Sequence, residues 1–185
     1  MEITISKSNL IATISSKGAE LKSLNNSQTK TEYIWDGNPE FWGKHSPILF
    51  PIVGTLKHNT YFYNSKSYEL PRHGFARDMV FELIYKSDYE AIFSLKSFDE
   101  TLKKYPFNFE LQLIYTLSES DLTVCYKVFN KNQFEMPFSI GGHPAFALEK
   151  DFDNYSLLFE NDEEIECYLL ENDLLSEKKM KIDLK

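Results

Sequence analysis

Arginine is almost absent from this chain: two residues of 185, against 18 lysines. Cysteine is equally scarce. Cys125 and Cys167 are too few for a disulfide framework, and they have no metal-ligand spacing. No apolar run is long enough to span a bilayer as a helix. The first ten residues have no basic stretch followed by an apolar run, so no signal peptide is read there and a cytoplasmic setting with free thiols is expected. The formal net charge is −8, with no basic stripe, which argues against nucleic acid and an anionic membrane surface as partners. Helical periodicity is scarce too; residues 99–104 are the best helical candidate, ended by Tyr105-Pro106. There is no internal repeat, no low-complexity tract and no linker, so one domain over residues 1–185 is expected.

What the chain has is aromatic and apolar side chains, 15% and 42% of its residues, arranged with a period of two. Phe107, Phe109, Leu111, Leu113 and Tyr115 fall on one face, and Asn108, Glu110 and Gln112 on the other. Leu122, Val124, Tyr126 and Val128 repeat the pattern. Residues 2–6 and 10–14 alternate across a Ser8-Asn9 turn and predict a hairpin. Further strands are expected at 17–24, 33–35, 61–63 with 68–70, 79–85 with 91–95, 166–170, and around Met180, Ile182 and Leu184. Asn161-Asp162-Glu163-Glu164 reads as a solvated turn. Many short alternating strands with little helix imply an all-β fold, a sandwich or barrel-like sheet of half-buried antiparallel strands.

Three stretches break the period, and they carry the chemistry. In Pro137-Phe138-Ser139-Ile140-Gly141-Gly142-His143-Pro144-Ala145-Phe146, two glycines precede a histidine and a proline follows it. Such a mount restricts where the ring points, as a proton-transfer group requires. A buried histidine bonded to a carbonyl fits the same stretch. Both arginines flank a second histidine in Arg72-His73-Gly74-Phe75-Ala76-Arg77. Arginine can fork onto a phosphate, a carboxylate or paired hydroxyls; an ion pair with Asp78 or Glu69 is the structural alternative. Residues 41–54 are apolar but interrupted by Pro47 and Pro51, which suits the wall of a pocket or a bulged edge strand. His45 borders that wall, and His58 sits in a polar turn. No His-x-His or His-x-x-x-His spacing occurs, so a metal hydrolase is disfavoured and no metal site is expected.

Four segments together carry a resemblance: Pro47-Ile48-Leu49-Phe50-Pro51-Ile52-Val53-Gly54, the Arg72 to Arg77 hexapeptide, Tyr105-Pro106-Phe107, and Met136-Pro137-Phe138 running on to Phe146. In this order they resemble the aldose 1-epimerase (galactose mutarotase) family, and within it the branch of LacX-like proteins. The resemblance spans nearly the whole chain. It implies a galactose-mutarotase-like β-supersandwich with a sugar site on the concave face of one sheet, and neither metal nor redox cofactor. By motif match His143 is the general acid at the sugar ring oxygen and His73 orients the substrate. Arg77 and Arg72 contact sugar hydroxyls or a phosphate. The implied partner is a small-molecule sugar, an aldohexose with or without a phosphate; no oligomeric state is implied.

Two departures accompany the resemblance. Where relatives often carry an arginine after the Phe-Pro-x-Val-Gly segment, this chain has Thr55, with Lys57 as the candidate stand-in. The family's general base is a glutamate near its C-terminus, in a part this sequence does not contain. Glu149, Asp151 and Glu160 match no motif for that role. The expectation is an N-terminal portion of a mutarotase-like domain, incomplete at its C-terminus. Two functions follow as alternatives: an epimerase of α and β anomers, or a non-catalytic sugar-binding module. Phe41, Trp42 and Phe75 are aromatic candidates for stacking on a sugar, or for the core.

Overall fold

The computed structural model describes residues 1–156, 158, 165–172 and 174–182. Alternation in the sequence becomes antiparallel sheet almost wherever it occurs. Strands β1 (Glu2–Lys7), β2 (Leu10–Ser15) and β3 (Glu20–Asn26) form a three-stranded meander in that order. Strands β5 (Thr60–Tyr63) and β6 (Lys66–Glu69) form a hairpin, after β4, the two residues Ile48–Leu49. A four-stranded sheet takes β7 (Glu82–Lys86), β8 (Glu90–Lys96), β9 (Phe109–Leu117) and β10 (Leu122–Asn130), with β10 and β7 on its edges. The one α-helix among the described residues, α1 (Asp99–Lys104), links β8 to β9. Strand β11 (Gly141–Gly142) pairs with β4, and β12 (Ile165–Glu171) pairs with β13 (Leu174–Ile182). The acidic run 161–164, Glu160 and Leu184 lie outside the described residues. No described helix is long and apolar enough to cross a membrane.

The core lies between the meander and the four-stranded sheet. Strand β9 buries Phe109, Leu111, Leu113, Tyr115 and Leu117 on its inner face, while the residues between them are half-buried. Strand β2 does the same with Leu10, Ala12 and Ile14. Each leucine, isoleucine or phenylalanine among them contributes about 1.5–3 kcal/mol when removed from water. A buried hydrogen bond ties the layers, from the Tyr115 hydroxyl to the Ala19 carbonyl at 2.6 Å. Phe50, fully buried, is an aromatic hub, with Phe75, Tyr105, Phe109 and Phe138 around it.

Two expected strands are shorter than their patterns. Residues 33–35 make a single bridge, Ile34 to Phe146, rather than a strand. Trp35 N–H donates to the Ala145 carbonyl and Ala147 N–H to the Tyr33 carbonyl, so the segment ties down the stretch after His143. In 79–85 the ladder begins only at Glu82, because Met79, Val80 and Phe81 bond back to residues 16–18.

Glu20 fixes the approach to the cleft. It is 8% exposed, and its Oε1 accepts the backbone N–H groups of His45 at 2.7 Å and Ser46 at 3.1 Å. Lys22 Nζ stands 3.9 Å from its other oxygen. Charge-assisted bonds of this kind are worth roughly 1.5–3 kcal/mol each, and an abandoned buried N–H costs about as much. Glu20→Leu is expected to cost about 3 kcal/mol, and Glu20→Gln, which keeps a carbonyl oxygen for the same two donors, about 1 kcal/mol. Urea unfolding of the two variants measures the difference. Equal losses would mean that the two backbone bonds contribute little.

Candidate functional site

Three irregular segments meet in one open cleft of about 300 Å³, lined by Trp42, Pro47, Leu49, Arg72, His73, Arg77 and His143. Proline makes the first segment irregular and useful. Only Ile48–Leu49 forms ladder, pairing Gly141 with Leu49 and Gly142 with Ile48. The pairing continues outside the strand, with His143 N–H on the Pro47 carbonyl (3.1 Å) and Ala145 N–H on the His45 carbonyl (2.9 Å). Bonds on both sides of His143 therefore hold its backbone, while its side chain is exposed. A Cβ on Gly141 would meet Val53 Cγ2 at 3.3 Å, and one on Gly142 would approach the Tyr126 hydroxyl to 2.7 Å. Trp42 packs on the His143 ring at 5.0 Å between centroids.

His73 reaches the cleft from a strained loop. Its φ is +66°, and that of Gly74 is +69°. A non-glycine residue held in this region costs energy and persists where the surroundings enforce it. Here they do. His73 N–H donates to the Gly54 carbonyl at 2.8 Å, and Gly54 N–H returns a bond to the ring Nδ1 at 3.0 Å. The chain then bridges in parallel to Phe50, whose carbonyl accepts from both Phe75 and Ala76. The two imidazoles lie 6.2 Å apart, centroid to centroid. Burial lowers the pKa of His73 below the ordinary histidine value, helped by the neighbouring charges of Arg77, Arg72 and His143.

The two arginines share the same loop. Arg77 Nη2 donates to the Arg72 carbonyl at 2.8 Å, which folds the loop over itself. Its Nε is buried without a hydrogen bond, 3.7 Å from Asp78, which also takes Lys44 at 3.2 Å. The ion pair with Asp78 considered from sequence is thus present, and both arginines still line the cleft.

The remaining candidates fall elsewhere. Lys57 is exposed on a 3-10 turn, Lys57–Asn59, and does not line the cleft. The reason is local: beyond the Gly54 clamp the chain turns toward a second, apolar hollow, lined by Leu56, Tyr61, Leu70 and Phe107 among others. His58 is exposed on the same turn. His45 takes a structural place, its Nδ1 2.7 Å from Lys22 Nζ and its ring filling the space beside Gly37. Of the aromatic candidates, Trp42 alone lines the cleft; Phe75 is core at 2% exposure and Phe41 lies on the surface at 74%. Among the described residues no cluster of three or more His, Cys, Asp or Glu could hold a metal ion. Sequence reasoning missed the Gly54 peptide N–H, a donor with no side chain to announce it.

An antiparallel β-fold with this connectivity is that of the galactose mutarotase-like proteins. Its solved relatives include a galactose mutarotase related enzyme from Lactobacillus acidophilus, TM-score 0.87 and 36% identical, covering 98% of this chain and 62% of that one. Another is a galactose mutarotase-like protein from Lactobacillus casei, TM-score 0.79 and 42% identical, covering 83% of this chain and 52% of that one. The aldose 1-epimerase family profile matches residues 1–175, and the chain belongs to that family. Protein LacX of Lactococcus lactis subsp. lactis is 32% identical over 169 residues, 86% of this chain and 56% of LacX. The chain thus spans little more than half the length of that curated relative.

Proposed function

We propose that the cleft binds an aldohexose and that the protein interconverts its α and β anomers, as an aldose 1-epimerase. The observation that carries this reading is the meeting of two imidazoles, 6.2 Å apart and seventy positions apart in sequence, over one open cleft. The reaction needs a proton taken from the C1 hydroxyl and a proton given to the ring oxygen. The bond between C1 and the ring oxygen breaks, leaving an open-chain aldehyde. Rotation about C1–C2 presents the other carbonyl face, and closure returns both protons. His143, exposed and backed by Trp42, is the group assigned to the ring oxygen. His73 orients the sugar, and Arg72 and Arg77 meet its hydroxyls or a phosphate. Trp42 offers an aromatic face to the sugar's C–H groups.

None of the seven lining residues is a carboxylate. That favours, as a second reading, a module that binds sugar without turning it over. Polarimetry of freshly dissolved α-glucose and α-galactose separates the two, with Trp42 fluorescence reporting binding. Epimerisation predicts faster loss of rotation than in buffer. Saturable quenching without acceleration selects the binding module. Neither effect, with plain sugars or with the hexose 6-phosphate, removes both readings. If the arginines serve a phosphate, the phosphorylated sugar binds more tightly, and its advantage shrinks as salt is added.

A further inference from the structure

Gly54 and His73 bond to each other at two points, and the second point sets the chemistry of the ring. A neutral imidazole has one ring nitrogen that donates and one that accepts. Gly54 N–H, a backbone donor, is aimed at Nδ1 from 3.0 Å. It cannot turn away, because the same residue's carbonyl is held by His73 N–H at 2.8 Å and its φ is +85°. We propose that the Gly54 peptide N–H locks His73 as the neutral Nε2–H tautomer, making it a fixed hydrogen-bond donor to a ligand oxygen rather than a proton-transfer group.

One neighbour competes with Gly54 for the ring, and its contact is the longer of the two. Arg72 Nε–H is directed at Nε2 from 3.4 Å, a longer approach from a rotatable side chain. With Nε2 protonated, it meets another donor there instead of a lone pair. A doubly protonated ring would set a second N–H against Gly54. The charged and titratable groups facing the ring, Arg72 and Arg77 of its own loop and His143 of the opposite segment, oppose that form as well. His143 differs: among the described residues no hydrogen bond engages its ring, so either of its nitrogens can exchange a proton. The lock thus divides the labour between two otherwise similar imidazoles.

The ligand's identity rests on the sugar-cleft reading above; the tautomer is a property of the free protein. Long-range ¹H–¹⁵N correlation spectra of the sugar-free protein read it directly. We expect a bare Nδ1 and a protonated Nε2 on His73, with the ring still neutral at about pH 6.5, the ordinary histidine value. A proton on Nδ1, or a ring charged at that pH, overturns the proposal. A variant pair tests the donor. His73→Gln carries an amide N–H₂ to the place of Nε2, whereas His73→Asn reaches only to Nδ1. Glucose affinity, followed by Trp42 fluorescence, should stay within about threefold for Gln and fall about tenfold or more for Asn, the loss of about one hydrogen bond. Asparagine tolerates a positive φ better than glutamine, so backbone strain works against this order and cannot produce it. Equal losses overturn the donor assignment. The expected tautomer with no sugar bound by any form leaves the lock standing and removes the sugar cleft instead.

Discussion

Replacing His143 with glutamine is expected to lower the catalysed rate of mutarotation by about 10²- to 10⁴-fold, the contribution of one positioned acid or base. Sugar affinity should change only a few-fold. The expectation follows from where the ring sits. Its backbone is held between the Pro47 and His45 carbonyls, so substitution does not release the segment. Its side chain is exposed at the cleft and leans on Trp42 at 5.0 Å. Glutamine keeps a donor of similar reach but cannot cycle between charged and neutral forms near neutral pH, whereas a histidine can. A loss in kcat with KM nearly unchanged identifies a group that acts in the transition state; a rise in KM alone identifies a binding contact. The second pattern would return His143 to the role assigned to His73. Polarimetry at several sugar concentrations distinguishes the two.

The parts of the fold that were legible in the sequence are those governed by period. β9 has to alternate because one of its faces is core and the other is not, so the pattern alone places Phe109 to Tyr115 on one face. The candidate site was legible where residue type was unusual: the only two arginines in the chain, one histidine after a glycine pair and another before a glycine, and prolines inside an apolar run. What stayed hidden depends on contacts made across the chain. Phe75 and Phe41 are the same residue type in similarly irregular segments; one packs on Phe50 and the other meets only the edge of Trp35 at the surface. Lys57 stands three residues beyond Gly54, but the clamp at Gly54 turns the chain before it arrives. The Gly54 N–H itself has no sequence signature, since every residue but proline carries one.

The largest expected effect on stability comes from one hydrogen atom's worth of space, at Gly74. A Cβ there would overlap the Phe50 carbonyl oxygen, lie 2.5 Å from its carbon and 2.7 Å from Pro51 Cδ. The neighbour cannot yield. Phe50 is fully buried, and its carbonyl accepts the N–H groups of Phe75 at 3.1 Å and Ala76 at 3.2 Å. Moving it would break those bonds and disturb the aromatic hub around the ring. Gly74→Ala also places a side chain at φ +69°. The left-handed conformation costs about 1–2 kcal/mol, overpacking about 1–3, and each lost backbone bond roughly 1 more. A destabilisation of about 4–7 kcal/mol is therefore expected, a large fraction of the 5–15 kcal/mol typical of a domain. Gly54→Ala and Gly43→Ala are the controls. Gly54 has φ +85° and nothing within 4 Å of the added carbon, so it should show the backbone cost alone, about 1–2 kcal/mol. Gly43 would meet only Pro39 at 3.8 Å and should be nearly neutral. Urea midpoints for the three variants should fall in the order 74, 54, 43, with Gly74→Ala lowest. Equal midpoints for Gly74→Ala and Gly54→Ala would show that the Phe50 carbonyl gives way, and the rigid support assigned to the His73 loop would go with it.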